Sequence, residues 1–422
     1  MHILISGAGL GGLALAQCLR KQNISYEIFE RDESPDARFQ GWAIAIHSII
    51  GELKDSFPDD MPDLKEATSH LKPLDLPAQM GLYFPGRPGR MGVEDSPEMP
   101  IVRAERRRLR DWLSREIPIQ WGKRVVDVQE SEKHVVVTFE DGSSATGDLL
   151  VGADGINSVA DLVRSVRKHL LQKEAHDLLK VVPLAAIVGE VELSGEAFKR
   201  QLALGHSLWM YMSPDLGFFN FGGLHKVHPD GVSGRHYWML MRRDPNVVEP
   251  DHWLQTASQE EKLAHVLETV QDLPPKFREI FEATPSSGIR PTAHIWRDLE
   301  LDSLPAGRVV LVGDAAHAMT PFRGEGGFHT LIDAMKLAKT IVGLEGKAFE
   351  EIKTAVAGYN AEMLERGGNA VRSSRDVQTK SAGGGGQSKL VSANQFAKPL
   401  PEVPAADILK GQKIASPLVA QA

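Results

Sequence analysis

A single cysteine, Cys18, stands in a chain of 422 residues, so no intrachain disulfide, CxxC redox pair or thiolate zinc cage can form. That usage fits a reducing, cytoplasmic setting. Long apolar runs are equally scarce. Even the run 309–312 meets Gly313-Asp314 at once, whereas a bilayer span takes about 20 consecutive apolar residues, so no membrane span is expected. The opening residues pass from Met1-His2-Ile3-Leu4-Ile5-Ser6 straight into glycines, without the basic, apolar and small-residue regions of a secretory signal. Positive charge is not in excess either. With 48 basic against 56 acidic residues the net charge is -8, which removes the electrostatic basis for a nucleic-acid partner. What remains, 42% hydrophobic and 25% charged residues, is ordinary for a globular protein and excludes disorder of the whole chain. The length exceeds what one hydrophobic core serves, so two or three packed layers or subdomains are expected.

The first thirty residues predict strand, helix, strand. Residues 2–6 are apolar, 10–21 repeat Leu13, Ala16 and Leu19 at helical spacing, and 25–30 form a second short run. The basic stretch 99–116 places Arg106, Leu109 and Leu113 at helical spacing and is expected to be helical, either as a solvated basic face or as a binding element. Runs 125–128 and 135–139, the latter followed by Asp141-Gly142, predict a hairpin or meander. A strand over 148–151 leads to Gly152-Ala153-Asp154-Gly155. From 181 to 243 aromatic segments alternate in a way that predicts an antiparallel sheet with one buried face. Helices are expected over 251–273, 333–344 and 349–377, and a strand over 308–312. Beyond Lys380, the glycine run 383–386 and a proline-rich tail predict disorder or a loosely draped segment.

Two glycine and aspartate signals carry chemistry. Gly7-Ala8-Gly9-Leu10-Gly11-Gly12 matches GxGxxG between a strand and a helix, with Gly7 for the tight turn, Gly9 for approach of a pyrophosphate and Gly12 for close packing. Glu30 ends the second strand, where a carboxylate can accept from both ribose hydroxyls. Together they indicate an adenine dinucleotide. A second signal, Gly313-Asp314 followed by Pro321 and the loop to Gly327, lets a strand deliver Asp314 where it can hold a ribityl hydroxyl, while the loop opens a helix whose dipole faces a flavin.

These motifs resemble those of the single-component FAD-dependent aromatic monooxygenases, the para-hydroxybenzoate hydroxylase-like family. Besides the fingerprint, Gly152 to Gly155 with Ser158 resembles the family's DG motif, Gly313-Asp314 to Asp333 its GD motif, and Arg106 the arginine of RxxLxxxL. The resemblance covers most of residues 1–380. It implies an α/β fold: a Rossmann-type FAD-binding domain (1–75, 100–180 and 285–345) with an inserted antiparallel-sheet substrate domain (76–99 and 181–284). C-terminal helices follow over 346–380, then a disordered tail over 381–422. It implies FAD contacts at Gly7, Gly9, Leu10, Gly11, Gly12, Glu30, Arg31, Gly41, Arg106, Val126, Asp154, Asp314, Pro321, Gly324, Gly326, Gly327 and Phe328, and no metal. Two departures stand out. The DG-motif arginine is displaced to Arg164 or Arg167, and Gly327-Phe328 replaces the family's Ala-Asn.

The resemblance further implies that NAD(P)H reduces the bound FAD, that O2 then forms a flavin C4a-hydroperoxide, and that one oxygen atom passes to an aromatic or polycyclic molecule. Hydroxylation, epoxidation and Baeyer-Villiger oxidation share that route. His47 and Tyr211 are the candidate bases for activating a phenolic substrate, and Trp209, Tyr211, Phe219, Phe221 and Trp238 the candidate wall. Strand parity allows only some of these to face a pocket. The alternatives are a flavin-dependent halogenase, a prenyl reductase of the same fold, or a non-catalytic flavin or aromatic-ligand binder, in a monomer or homodimer.

Overall fold

The apolar runs bounded by glycines become the strands of a parallel sheet. In this computed structural model, which describes residues 1–156, 166–173, 175–213, 216–381 and 397–412, β1 (His2–Ser6) lies at the sheet's centre. On one side follow β2 (Ser25–Phe29) and β7 (Ile119–Gln120), on the other β11 (Leu149–Gly152) and β18 (Val309–Leu311), every pair parallel. Helices α1 (Leu10–Lys21) and α12 (Gly326–Val342) pack on one another in the core of this sheet, so closely that a Cβ on Gly11 would lie 2.9 Å from Thr330 Cγ2. A three-stranded antiparallel sheet of β8 (Val125–Glu130), β9 (Val135–Phe139) and β10 (Ser144–Gly147) joins the same core, with Phe139 against Phe29 at 4.6 Å.

The basic stretch expected to be one helix is strand first and helix second. β6 (Ile101–Glu105) pairs antiparallel with β3 (Ala43–His47), and only then does α4 (Arg106–Leu113) begin. The switch is made by Glu105, whose carboxylate accepts from the amides of Arg107 and Arg108 and so caps the helix. Two short helices, α2 (Ile50–Ser56) and α3 (Leu64–Thr68), connect this ribbon to the second half of the molecule.

That half is a seven-stranded sheet in the order β13 (Leu184–Ser194), β16 (Ser233–Arg243), β15 (Phe219–Val227), β14 (Leu208–Tyr211), β4 (Gln79–Tyr83), β5 (Arg90–Glu94), β19 (Lys398–Leu400). All neighbours are antiparallel except β14 and β4. Helices α7 (Gly195–Leu204), α8 (Trp253–Thr256), α9 (Gln259–Thr269) and α10 (Pro275–Glu282) cover one face, and Trp209, Trp238, Phe198, Phe277 and Phe281 form its core. The opposite face carries Tyr237, Met239 and Met241 with Phe219 and Phe221, and it meets Trp42 beside β3. Smaller elements complete the chain: α5 (Val166–Leu171), α6 (Ala175–Leu178), the pair β12 (Lys180–Val181) with β17 (Arg297–Asp298), α11 (Asp314–His317) and the long α13 (Phe349–Ser381). Among the described residues no helix is long and apolar enough to cross a membrane.

The expectation of a loose tail fails for residues 397–412. β19 satisfies the edge of β5, which would otherwise present unpaired backbone groups. Arg90 holds it from below, donating to Ala203 O and Pro401 O at 2.8 Å each, while Ile408 and Leu409 are buried in the helix-covered core. Three residues of strand and two isolated apolar side chains are too few to show as a periodic pattern. Ile408→Ala is expected to cost about 2–5 kcal/mol, the usual range for emptying such a site. An unchanged urea midpoint would show that the segment is not docked.

Candidate functional site

The turn from β1 into α1 is built for close approach. Gly7 holds φ at +110°, and a Cβ there would come 2.5 Å from Ala153 O at the end of β11, while one on Gly12 would come 2.0 Å from Gly7 O. Gly9 differs: nothing lies within 4 Å of its missing Cβ. It caps α1 without any side-chain hydrogen bond, so the amides of Leu10 and Gly11 and the positive end of the helix face that open space. Glu30 is buried beside this turn. Its Oε2 accepts from Ala8 N at 2.9 Å and its Oε1 from Asp32 N at 3.1 Å, with Arg110 Nη2 3.8 Å away. Two of roughly four lone-pair sites are used, which leaves about two for a ligand's hydroxyls.

A second set faces the first. The chain leaves β18 through Gly313 and presents Asp314, and Arg106, first residue of α4, lies along Gly41, where a Cβ would sit 3.1 Å from its Nη1. Neither Asp314 nor Arg106 makes a side-chain hydrogen bond among the described residues. Burial pushes the Asp314 carboxyl up, opposed by the charge of Arg106, and burial pushes Arg106 down, opposed by Asp314. Asp154 is raised by burial too, against the pull of Arg167 and Arg31, and its Oδ1 is buried with no partner among the described residues. Like α1, α12 begins without a side-chain cap, and a Cβ on Gly326 would lie 4.0 Å from Asp314 Oδ1. Two uncapped helix N-termini, a carboxylate and an unbonded guanidinium match a ligand with a diphosphate and a polyol. The residues therefore fit FAD.

Behind Asp314 lies a network centred on one carboxylate. Asp333 of α12, wholly buried, accepts from Gly313 N at 2.7 Å and bonds His317 Nε2 at 2.6 Å through Oδ2, while Oδ1 takes Arg366 Nη2 at 2.7 Å. Burial alone would lower His317, but the Asp333 carboxylate outweighs it and raises the imidazole. Burial alone would raise Asp333, but His317 and Arg366 outweigh it and hold the carboxyl low.

His47, at the end of β3, lines a cavity of about 860 Å³ with Met99, Glu325, Phe328 and Arg366, and its ring stacks on Phe328 at 4.9 Å. Burial pushes its imidazole down, with Glu325 opposing. Phe328, the departure from the family pattern, thus packs on the candidate base. Pro321 opens a short 3-10 turn that Gly324 closes at φ +65°, and Gly327 abuts Ile44 of β3. Val126 sits at the bulge between Val125 and Asp127 in β8.

Tyr211 is corrected. Strand parity turns it onto the helix-covered face, where it packs on Phe277 at 4.8 Å, in one core with Trp209 and Trp238. Phe219 and Phe221 point the other way, toward Trp42. Tyr237, one residue from Trp238 and not among the aromatics singled out in the sequence, lies on that same face and stacks on Trp42 at 4.7 Å and 4°. Parity sets it opposite to Trp238, and only the pairing of β15 with β16 and the docking of Trp42 show which of the two faces away from the helices. Arg167, one of the two candidates for the displaced DG-motif arginine, is 1% exposed and turned inward, bonding Ala315 O at 3.2 Å. Ser158 and Arg164 lie outside the described residues.

The family model described as "FAD binding domain" matches residues 96–374. The FAD-dependent monooxygenase thnD of Trichoderma harzianum is 58% identical over 380 residues, covering 89% of this chain and 92% of that protein. The FAD-dependent monooxygenase cctM of Talaromyces islandicus is 28% identical over 396 residues, covering 88% and 91%. Among solved structures, 2,6-dihydroxypyridine-3-hydroxylase from Arthrobacter nicotinovorans shares the fold with a TM-score of 0.69 at 18% identity, over 95% of this chain and 97% of that one. Klebsiella pneumoniae HpxO complexed with FAD and uric acid gives 0.67 at 22%, over 91% and 89%.

The Asp333 network predicts a pH signature. The share of stability from His317, whose folded pKa is raised, is full below its unfolded value of about 6.5 and is lost as pH climbs through the folded value. The share from Asp333, whose folded pKa is lowered, is full above about 3.9 and is lost as pH falls through the folded value. Asp333→Asn should therefore cost most between those limits, about 3–5 kcal/mol as for other broken buried pairs. Urea unfolding across pH checks this, and a cost that does not vary with pH would show that the pair is not ionised.

Proposed function

The chain belongs to the FAD-binding-domain family of FAD-dependent monooxygenases, and on that premise we propose that it uses NAD(P)H and O2 to insert one oxygen atom into an aromatic or polycyclic small molecule. Hydroxylation is the outcome this reading favours over epoxidation and Baeyer-Villiger oxidation. The observation that carries it is the facing pair Arg106 and Asp314, unbonded between two uncapped helix N-termini and next to the Trp42–Tyr237 stack. Bound FAD would supply reduction by NAD(P)H and activation of O2 at its C4a position, by the route the resemblance implies.

The chain's own residues hold and shield. The amides at the start of α1 take the diphosphate, Glu30 the adenosine ribose, and Asp314 the ribityl chain, with Arg106 balancing its charge. The N-terminus of α12 favours negative charge on the pyrimidine side of the flavin. Trp42, Tyr237, Phe221 and Met239 keep water from the reacting atoms and stack a planar ring. His47, held below its ordinary value by burial, is unprotonated near neutral pH and suited to take a proton. The two fold relatives support a planar, oxygen-bearing ring, since one is by name a dihydroxypyridine hydroxylase and the other was solved with uric acid.

Two measurements test this reading. Asp314→Ala is expected to purify largely without FAD, and undiminished flavin occupancy would remove Asp314 from the cradle. In the wild-type protein, NADPH added without air should bleach the bound-flavin spectrum, and faster with an aromatic compound present. Bound flavin that NADPH never reduces would instead favour a separate reductase or a binding protein.

A further inference from the structure

The cavity of about 860 Å³ beside His47 contains a polar group whose proton is fixed in place by a neighbour. His329, 9% exposed, follows Phe328 on α12 and lines that cavity. Arg366 Nη1 stands 3.1 Å from its Nδ1. A guanidinium can only donate, so Nδ1 is the accepting nitrogen and the ring proton sits on Nε2. Arg366 cannot turn away and release it, because its Nε and Nη2 donate to Glu362 and its Nη2 also to Asp333 at 2.7 Å. Burial, and after it the Arg366 charge, pushes the His329 imidazole down to about 4, which keeps Nδ1 unprotonated. No hydrogen bond from Nε2 is found among the described residues, and Glu325 Oε2 stands 4.0 Å away, beyond reach.

The rest of the wall decides what can meet that donor. Four glutamates, Glu98, Glu325, Glu362 and Glu365, line the cavity against two arginines. Both cations are committed: Arg323 holds Glu325 through bonds of 2.8 and 3.0 Å, and Arg366 holds Asp333 and Glu362. An anion would therefore meet a wall of excess negative charge whose arginines already have carboxylate partners. An ammonium fails differently, since it brings three donors and offers Nε2 no acceptor. Met99, Phe328 and Ala370 supply the apolar part, with Phe328 against the His47 ring at 4.9 Å. The volume lies within the range of about 300–1,000 Å³ that small-molecule sites occupy.

We propose that this cavity binds an uncharged ring ketone and that His329 positions it, donating from Nε2 to the carbonyl oxygen. The proposal rests on the reading that the chain oxygenates an aromatic molecule, and it names that substrate's class. His329 and Phe328 stand in the first turn of α12, the helix end that the proposed cradle turns toward the flavin, so a carbonyl held at Nε2 brings its ring to that end of the site. A hydrocarbon of the same shape is disfavoured because it seals Nε2 from water and gives it no acceptor. The donor is also tied to the scaffold. Arg366, which fixes the tautomer of His329, is the residue that joins Asp333 of α12 to α13.

The test is a calorimetric titration of the FAD-loaded protein, without NAD(P)H, using three compounds of similar shape: xanthone, xanthene, which has a methylene in place of the carbonyl, and xanthone-2-carboxylate. Xanthone should bind at least about fivefold more tightly than xanthene, the low end of what an unmet buried donor costs. The carboxylate should bind more weakly than xanthone, and added salt should narrow that gap by screening the glutamates. His329→Phe keeps a ring but removes its proton and should abolish the preference for xanthone, whereas His329→Gln, which offers an amide N–H, should restore part of it. Ala370→Phe, which narrows the cavity from α13, should weaken xanthone and xanthene alike, and it decides the matter should His329→Phe lose its flavin. Equal affinity for xanthene, no binding of xanthone, tighter binding of the carboxylate, an undiminished preference in His329→Phe or undiminished affinity in Ala370→Phe would overturn the proposal. Because turnover is not read, a protein that selects the ketone but never oxidises it would sink the oxygenation reading and leave this one standing, and oxidation of an aromatic compound without the preference would do the reverse.

Discussion

Asp333 is the group on which the rest of the site depends. Its carboxylate sits in the core, where an unpaired charge would be untenable, so each of its three partners is obligatory. The amide of Gly313 fixes where β18 ends and hence where Asp314 begins. His317 fixes α11, and Arg366 ties both to α13. Gly367, the neighbour of Arg366, has no room for a side chain, since a Cβ there would meet the His317 ring at 2.6 Å. Because Asp333 is itself on α12, the same carboxylate sets the distance from Asp314 to the first turn of that helix. The two elements expected to face the flavin are therefore positioned by one buried side chain that need not touch it.

The second constraint is strand parity. A strand turns alternate residues to opposite faces, so in the seven-stranded sheet every aromatic had to go either to the helix-covered core or to the side that meets Trp42. Trp209, Tyr211 and Trp238 went to the core, where Trp238 Nε1 donates to Thr284 Oγ1 at 2.8 Å and Trp209 Nε1 to Gln201 Oε1 at 3.0 Å. Those indoles are satisfied, as buried polar groups ordinarily are. On the other face the indoles of Trp42 and Trp296 have no acceptor among the described residues.

Much of this was legible in the chain. The strand over 2–6 and the helix over 10–21 match the structure residue for residue, because an apolar run ended by glycines and a helical repeat leave little choice. The candidate cradle was legible for the same reason: Gly7, Gly9, Glu30 and Asp314 stand at fixed spacings around strand ends, where backbone geometry and single charges decide what they can hold. What could not be read was anything set by register between distant strands. Tyr237 stands beside the more conspicuous Trp238, and only the pairing of β15 with β16 and the docking of Trp42 distinguish them. Residues 101–105 were read as helix because Leu109 and Leu113 extend their periodicity backward, while the capping carboxylate of Glu105 that ends the strand gives no periodic signal.

The departures from the family pattern at Gly327 and Phe328 also become intelligible as one packing event. A Cβ on Gly327 would come 2.9 Å from Ile44 Cγ2, so β3 presses directly on the first turn of α12 and leaves room there only for glycine. The next side chain, Phe328, then covers His47 at the end of the same strand. Side chains change, yet the start of α12 keeps its uncapped amides and its dipole, which are backbone properties. A site that holds its cofactor through helix ends can tolerate such repacking. The repacking is felt instead at His47, whose ring lies against Phe328, and burial there pushes its imidazole toward the unprotonated form.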